Sequence, residues 1–291
     1  MKISTSLSHA MSIAGVTMRE SARMMKKADF DGVDFGMRAR YQQLPAFLEP
    51  EWMELVRSQN HDLRAEGLEV AQCHMPQYAG APTPPGDGSA QAFEDFMMPF
   101  YIRSIEACGK IQCPVAVMHP FSDAKSAEIT RDGNLSTIEK LLPHLKKHGV
   151  KLALENIYGY DNGYIDGHVS RPEGIMAILN ECDPDWVGAC IDTGHANIFK
   201  ENIGRMARMY GKRLFALHVN GNSGEDEHAI PYTLGWCEGM DYHDFAAALK
   251  EIGYKGYYNL EIVPGNLPAC VAQPYLDFAG SVARALADLA E

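Results

Sequence analysis

Paired cysteines are absent from this sequence. Its seven cysteines (Cys73, Cys108, Cys113, Cys182, Cys190, Cys237 and Cys270) form no C-x-x-C motif, which argues against a zinc ribbon or a thioredoxin-type redox site. An odd count and no secretory start lead us to expect reduced thiols in a cytoplasm. Basic residues are scarce, 26 against 38 acidic ones, and the formal net charge is −12. That balance opposes non-specific nucleic-acid binding, which needs Lys and Arg to neutralise phosphates. Long apolar runs are missing too. Nothing approaches the roughly 20 apolar residues of a membrane span. The opening MKISTSLSHA is interrupted by hydroxyl residues and His9 and has no continuous apolar region of a signal peptide. The P-loop, a G-x-G-x-x-G after a strand and the G-x-S-x-G nucleophile elbow are likewise absent.

What is present is an alternation. Hydrophobic residues make up 46% of 291 positions, enough for a large core. Short apolar runs alternate with amphipathic stretches, the pattern of βα units around a parallel sheet. Strands are predicted near Lys2–Leu7, Gly32–Phe35, Glu69–Cys73, Pro114–Met118, Val150–Leu154, Val187–Ile191, Leu214–Leu217 and Tyr257–Leu260. Helices are predicted over Met18–Lys27, Glu51–Glu66, Ala92–Ala107, Ser136–Lys147, Pro172–Asn180, Asp241–Ile252 and Gln273–Ala290. Ser170-Arg171-Pro172-Glu173 reads as a capping box, and Gly67, Gly149 and Gly253 follow helical runs where a left-handed residue is wanted. Eight strands separated by helices suit an α/β chain closed into one (β/α)8 TIM barrel over residues 1–291, near the roughly 250 residues typical of that fold. A doubly wound open sheet is the alternative. Two long loops, Met75–Gly88 and Asn156–Ser170, follow the third and fifth strands. The second carries Tyr158, Tyr160, Tyr164 and His168. They are either plain surface loops or walls over the barrel mouth.

The strand ends carry the chemistry. The fifth run closes on Leu154-Glu155-Asn156, the sixth on Ile191-Asp192-Thr193-Gly194-His195, the seventh on Leu217-His218-Val219-Asn220 and the eighth on Leu260-Glu261. Side chains at the C-terminal ends of parallel barrel strands converge on one mouth. Glu155, Asp192, His218 and Glu261 are therefore expected to hold one divalent ion, and three carboxylates with one imidazole suit Mn²⁺, Co²⁺ or Zn²⁺. His74 and His119 end the third and fourth runs, and Asp226-Glu227-His228 lies beyond the seventh. A single His after a strand more often makes a structural hydrogen bond than a metal bond, but a carboxylate buried at the end of an apolar run demands a partner. Asp34 is read as structural, and Met24-Met25 and Met97-Met98 as core packing.

These residues resemble the xylose isomerase-like TIM barrels, which include sugar isomerases and epimerases as well as trinuclear-zinc abasic-site endonucleases. The likeness runs through nearly the whole chain, most densely from Leu152 to Ile262. Resemblance to the ketose 3-epimerases implies a metal held by Glu155, Asp192, His218 and Glu261, proton transfer by Glu155 and Glu261, and substrate contact by His195. Resemblance to the endonucleases implies up to three zinc ions, held by these residues with His74, His119, His195, Asp226 and His228. Two features depart from the patterns. Val219-Asn220-Gly221-Asn222 stands where the endonucleases carry Asn-Asp-Ser-Lys, and no Arg occurs between Arg213 and Arg284, where the epimerases place one in the seventh loop.

The leading expectation is a metal-dependent isomerase or epimerase of a sugar or sugar-like polyol. Glu155 and Glu261 would move the proton through a metal-stabilised enediolate. His195, His74, His119, Asp226 and His228 would bind the substrate. The alternative is a multinuclear zinc phosphodiesterase, and a barrel that binds a sugar or a protein without catalysis is the third reading. The expected partner is a small-molecule sugar or polyol, with nucleic acid disfavoured and no membrane; the sequence leaves a homo-oligomer open.

Overall fold

The computed structural model describes residues 1–6, 16–37, 41–78, 85–160, 163–234, 240–263 and 267–291, with backbone alone for 41–43 and 160. Leu7, His9 and Cys237, and part of each long loop, lie outside the described residues.

All eight expected strands form. They are β1 (Ile3–Ser6), β2 (Gly32–Asp34), β3 (Glu69–His74), β4 (Val115–Met118), β5 (Lys151–Glu155), β6 (Val187–Asp192), β7 (Leu214–His218) and β8 (Tyr258–Leu260). They make one parallel sheet in the order β8-β1-β2-β3-β4-β5-β6-β7. The ring closes just beyond β7. Val219 bridges Leu260 in parallel, its N–H donating to the Asn259 carbonyl at 2.8 Å and its carbonyl accepting from Glu261 at 2.9 Å. The expected TIM barrel is therefore the fold, and the open-sheet alternative is set aside.

The helices are α1 (Met18–Lys27), α2 (Pro50–Ala65), α3 (Ala90–Ile111), α4 (Ala127–His148), α5 (Pro172–Leu179), α6 (Thr193–Ile198), α7 (Ile203–Tyr210), α8 (Tyr242–Ile252) and α9 (Ala269–Leu289). A true capping box starts α1, where the Thr17 hydroxyl accepts from the Glu20 N–H and the Glu20 carboxylate accepts from the Thr17 N–H. Gly149 and Gly253 end α4 and α8 in the left-handed conformation, with φ of 67° and 64°. Gly67, just past α2, also has a positive φ, 77°.

Two helix expectations are corrected. The box at Ser170–Glu173 does not form. Arg171 occupies the N-cap, and the Ser170 hydroxyl instead donates to the Ile157 carbonyl and accepts from the Gly167 N–H, each at 2.9 Å, tying down the loop after β5. Helix α4 begins at Ala127, well before the expected Ser136, because Ser126 caps it and accepts from the Ile129 N–H. Helices α6 and α7 were not anticipated. Their N-caps are Asp192 and Asn202, whose side chains accept from the His195 and Arg205 N–H groups.

Strand alternation sorts the core. Ala116, Met118, Leu152, Leu154, Ala189, Ile191 and Leu217 join the large cluster between sheet and helices. Val115, Val117, Ala153, Cys190 and Ala216 pack together as a separate small cluster inside the barrel. Because successive residues face opposite sides of a strand, the next inward positions are Glu155, Asp192 and His218. The barrel interior under the mouth is thus apolar on the β4–β7 side.

Candidate metal centre at the barrel mouth

The inward alternation brings the strand-end residues to one place. Glu155, Asp192, His218 and Glu261 are all buried, and each offers an atom within 4.8 Å of the others. His218 Nδ1 lies 3.1 Å from Glu155 Oε2 and 3.2 Å from Glu261 Oε2. Distance alone would suggest hydrogen bonds. Yet His218 Nδ1 and both carboxylate oxygens of Glu155 make none, although they are sealed from solvent. Buried polar atoms without hydrogen bonds are costly and rare. Converging on a shared point without donor–acceptor alignment is what atoms aimed at a cation do. The residues present therefore fit a divalent ion, with oxygen and imidazole donors of hard to borderline character.

Asp192 is fixed before any ion arrives. Asn220 Nδ2 donates to both of its oxygens at 3.1 Å, and the His195 N–H donates to Oδ1 at 2.8 Å. Asn220 lies two residues past His218, and strand period puts it on the same side of the chain. The Asp-Thr-Gly-His turn lets that partner approach. A Cβ on Gly194 would stand 2.0 Å from Asn220 Oδ1. Asn156 clasps the same strand end, accepting from the Asp192 N–H at 2.8 Å and donating to its carbonyl at 2.9 Å.

A second group of residues surrounds this set. His195 Nδ1 donates to the Asn156 carbonyl at 2.9 Å, which leaves Nε2 facing Asp226 Oδ1 at 3.5 Å. His228 Nε2 lies 2.9 Å from the same oxygen, and its Nδ1 lies 3.1 Å from the Glu261 carbonyl. His228 adopts φ 46°, unusual for a residue with a side chain, as the loop after β7 folds back on itself through the Gly221–Ala229 bridge. Asp192, His195 and His228 also place ligand atoms within 4.8 Å of one another. On the other side His74 Nδ1 donates to the Met75 carbonyl at 2.8 Å. Its Nε2 then faces His119 Nε2 at 3.1 Å and Glu155 Oε2 at 3.4 Å, with Gln77 Nε2 within 3.1 Å of both imidazoles. Every residue expected at the site is thus brought to the mouth.

The long loop after β5 is a wall of this pocket. Its Gly159–Tyr160 and Tyr164–Ile165 segments pair as an antiparallel hairpin. Tyr158 donates to Asp226 Oδ2 at 2.6 Å and stands edge-on to the His195 ring, with centroids 5.1 Å apart. Tyr164 accepts from the Asp226 N–H at 2.8 Å. His168 lies apart, lining a surface cleft of about 490 Å³ with Arg131 and Arg171.

The electrostatics agree with a site that wants positive charge. Burial pushes the His218 imidazole down, but the carboxylates of Glu155 and Asp34 outweigh it and hold the group well above its ordinary value. His195 behaves alike under Asp192, Asp226 and Glu155. Burial would raise Glu155, yet His218 and His119 hold it well below the usual carboxylate range. Burial also raises the Tyr158 hydroxyl, reinforced by Asp226. In the protein without an ion, protons on the imidazoles offset the carboxylates, so a divalent cation would exchange with protons.

The same architecture recurs in known proteins. The family described as xylose isomerase-like TIM barrel matches residues 22–277. The chain belongs to that family. An L-ribulose 3-epimerase of Methylomonas sp. (strain DH-1) is 26% identical over 156 residues, covering 54% of this chain and 49% of that protein. An inosose isomerase of Bacillus subtilis (strain 168) is 26% identical over 141 residues, covering 46% and 48%. The chain thus matches about half the length of these curated relatives. A solved structure of L-ribulose 3-epimerase superposes with a TM-score of 0.73 at 15% identity, covering 100% of this chain and 96% of that one, which establishes the shared fold.

Proposed function

We propose that the protein is a divalent-metal-dependent isomerase or epimerase of a sugar or sugar-like polyol. The observation that carries this reading is the convergence of Glu155, Asp192, His218 and Glu261 from four strand ends, with Glu155 and His218 Nδ1 buried and without hydrogen bonds. The family and the isomerase and epimerase relatives support it.

One ion of Mn²⁺, Co²⁺ or Zn²⁺ held by these four residues would supply positive charge beside the oxygens of an enediolate. The protein's own groups do the rest. Glu155 Oε2 and Glu261 Oε2 are the oxygens nearest His218 Nδ1, so they are assigned to the ion. Glu155 Oε1, 3.3 Å from His195 Nδ1, would be the oxygen that takes a proton from a carbon next to a carbonyl. Glu261 serves the opposite side of that carbon. His195 Nε2, Asp226 and His228, with His74 and His119 across the pocket, offer hydrogen bonds to substrate hydroxyls.

The test is solvent deuterium exchange into the accepted sugar with the Glu155→Gln and Glu261→Gln variants. Each should lose exchange by about 10²-fold or more, the scale of general acid–base catalysis. Exchange that survives both changes overturns the assignment.

One observation favours a second reading. His74 Nε2, His119 Nε2 and Glu155 Oε2 lie within 3.4 Å of one another, and Asp192, His195 and His228 form a further set, which would suit the multinuclear zinc site of a phosphodiesterase. About three zinc ions per chain, with cleavage of an abasic-site duplex, would establish it in place of the first.

A further inference from the structure

Behind the candidate metal centre lies a polar layer that the proposed reaction does not use. It comes from the four strands on the far side of the barrel. Asp34 ends β2, and its buried Oδ2 lies 3.0 Å from His218 Nε2. The same oxygen accepts from Gln72 Nε2 on β3 at 3.0 Å and from Asn259 Nδ2 on β8 at 3.3 Å. Asn259 is held in turn by Ser4 of β1, whose hydroxyl donates to Asn259 Oδ1 at 2.8 Å, and Gln72 also donates to the Leu217 carbonyl at 3.1 Å. The register shows how Asp34 comes to sit there. Val33 pairs with Val70, but Asp34 pairs with Gln72, so one extra residue of β3 is absorbed at this point. Such irregularities re-aim a side chain next to a site.

The chemistry of an imidazole makes the consequence specific. An acceptor-only carboxylate at Nε2 requires that nitrogen to carry the hydrogen. The lone pair of the neutral ring is then on Nδ1, the atom facing Glu155 and Glu261. We propose that Asp34 is a positioning residue that fixes His218 in the Nε2–H form, so that Nδ1 is presented as a metal ligand and its donor strength is raised. The His74 ring, stacked on His218 with centroids 5.4 Å apart and planes 7° from parallel, restricts the tilt of the same imidazole. Asp34 acts through His218 and touches neither ion nor substrate. The inference rests on the metal reading above and goes beyond it.

Carboxylate partners behind a metal-bound imidazole typically set metal affinity by 10–100-fold. The probe is Mn²⁺, Co²⁺ or Zn²⁺ alone, with affinity measured by competition against a chelating dye on the full chain. Asp34→Asn should bind the ion about 10–100-fold more weakly than the wild type while its metal-free form still unfolds in one cooperative transition. Asp34→Glu should recover part of the loss. A readout free of metal is the nitrogen NMR spectrum of His218. Once the metal-free imidazole is made neutral at alkaline pH, wild type should keep its remaining hydrogen on Nε2, and in Asp34→Ala that preference should vanish. The arms separate the two ideas. Metal affinity lost in His218→Ala but unchanged in Asp34→Asn overturns the role of Asp34 and leaves the metal reading standing. Wild-type protein that binds none of the three ions overturns both.

Discussion

At the scale of the residue, the chemistry is set by which atom of each side chain is already engaged. His195 and His218 are both buried imidazoles beside Glu155, yet their bonding differs. His218 spends Nε2 on Asp34 and turns Nδ1 to the carboxylates. His195 spends Nδ1 on the Asn156 carbonyl and turns Nε2 to Asp226. On our proposal the first would hold an ion with the four-residue set, and the second would face what enters the mouth. His195→Ala should therefore keep metal and lose turnover by about 10²-fold or more, as loss of a substrate-polarising or proton-handling group does. Equal release of metal from His195→Ala and His218→Ala, measured by elemental analysis after gel filtration, would show His195 to be a ligand and favour the multinuclear reading. Much of this site was legible in the sequence, because a carboxylate ending an apolar run is a strong signal. Asp34 read as structural because a single Asp at a strand end says nothing of the imidazole it meets across the barrel. Asn220 and Gln77 were missed because amides carry no ligand signature of their own.

Elements explain how these atoms are held. The eight strands were legible because each is a short apolar run between helical stretches, and their ends shift by at most a residue or so between sequence and structure. Helices α6 and α7 escaped notice because each is short, six and eight residues, and lies in a stretch where strand-end chemistry dominates the pattern. The turn into α6 matters most. It places Asp192 as N-cap of α6, and Gly194 admits Asn220 against the Asp192 carboxylate. Gly194→Ala would put a methyl group only 2.0 Å from Asn220 Oδ1. Crowding of this kind costs about 1–3 kcal/mol. The variant should stay folded with a lower melting temperature and bind the ion more weakly, even though no ligand is altered. Metal affinity equal to wild type, measured by isothermal titration, would show that Asn220 does not orient Asp192.

For the whole molecule, the barrel has two halves. The β4–β7 side packs Val115, Val117, Ala153, Cys190 and Ala216 beneath the mouth, while β8, β1, β2 and β3 contribute Asn259, Ser4, Asp34 and Gln72. The proposed metal-binding set sits at the boundary, with its residues on β5, β6 and β7 and just beyond β8, and its polar support drawn from across the barrel. That division was not legible beforehand, because an inward polar residue becomes informative only when its partner across the closed ring is known. Among the described residues no helix is long and apolar enough to cross a membrane. The excess of acidic residues, 38 against 26, suits a neutral polyol better than a phosphate backbone. The account's central claim is a single ion bound by Glu155, Asp192, His218 and Glu261. The most direct measurement is metal stoichiometry of the purified chain, reconstituted with Mn²⁺, Co²⁺ or Zn²⁺ and compared with His218→Ala and Asp192→Ala. Binding to the folded state alone should stabilise it by about 2.7 kcal/mol at a hundredfold excess over Kd, so the bound form should also melt higher. The account predicts one ion per chain in the wild type and none retained by either variant. Three ions per chain, or an ion kept by both variants, would contradict it.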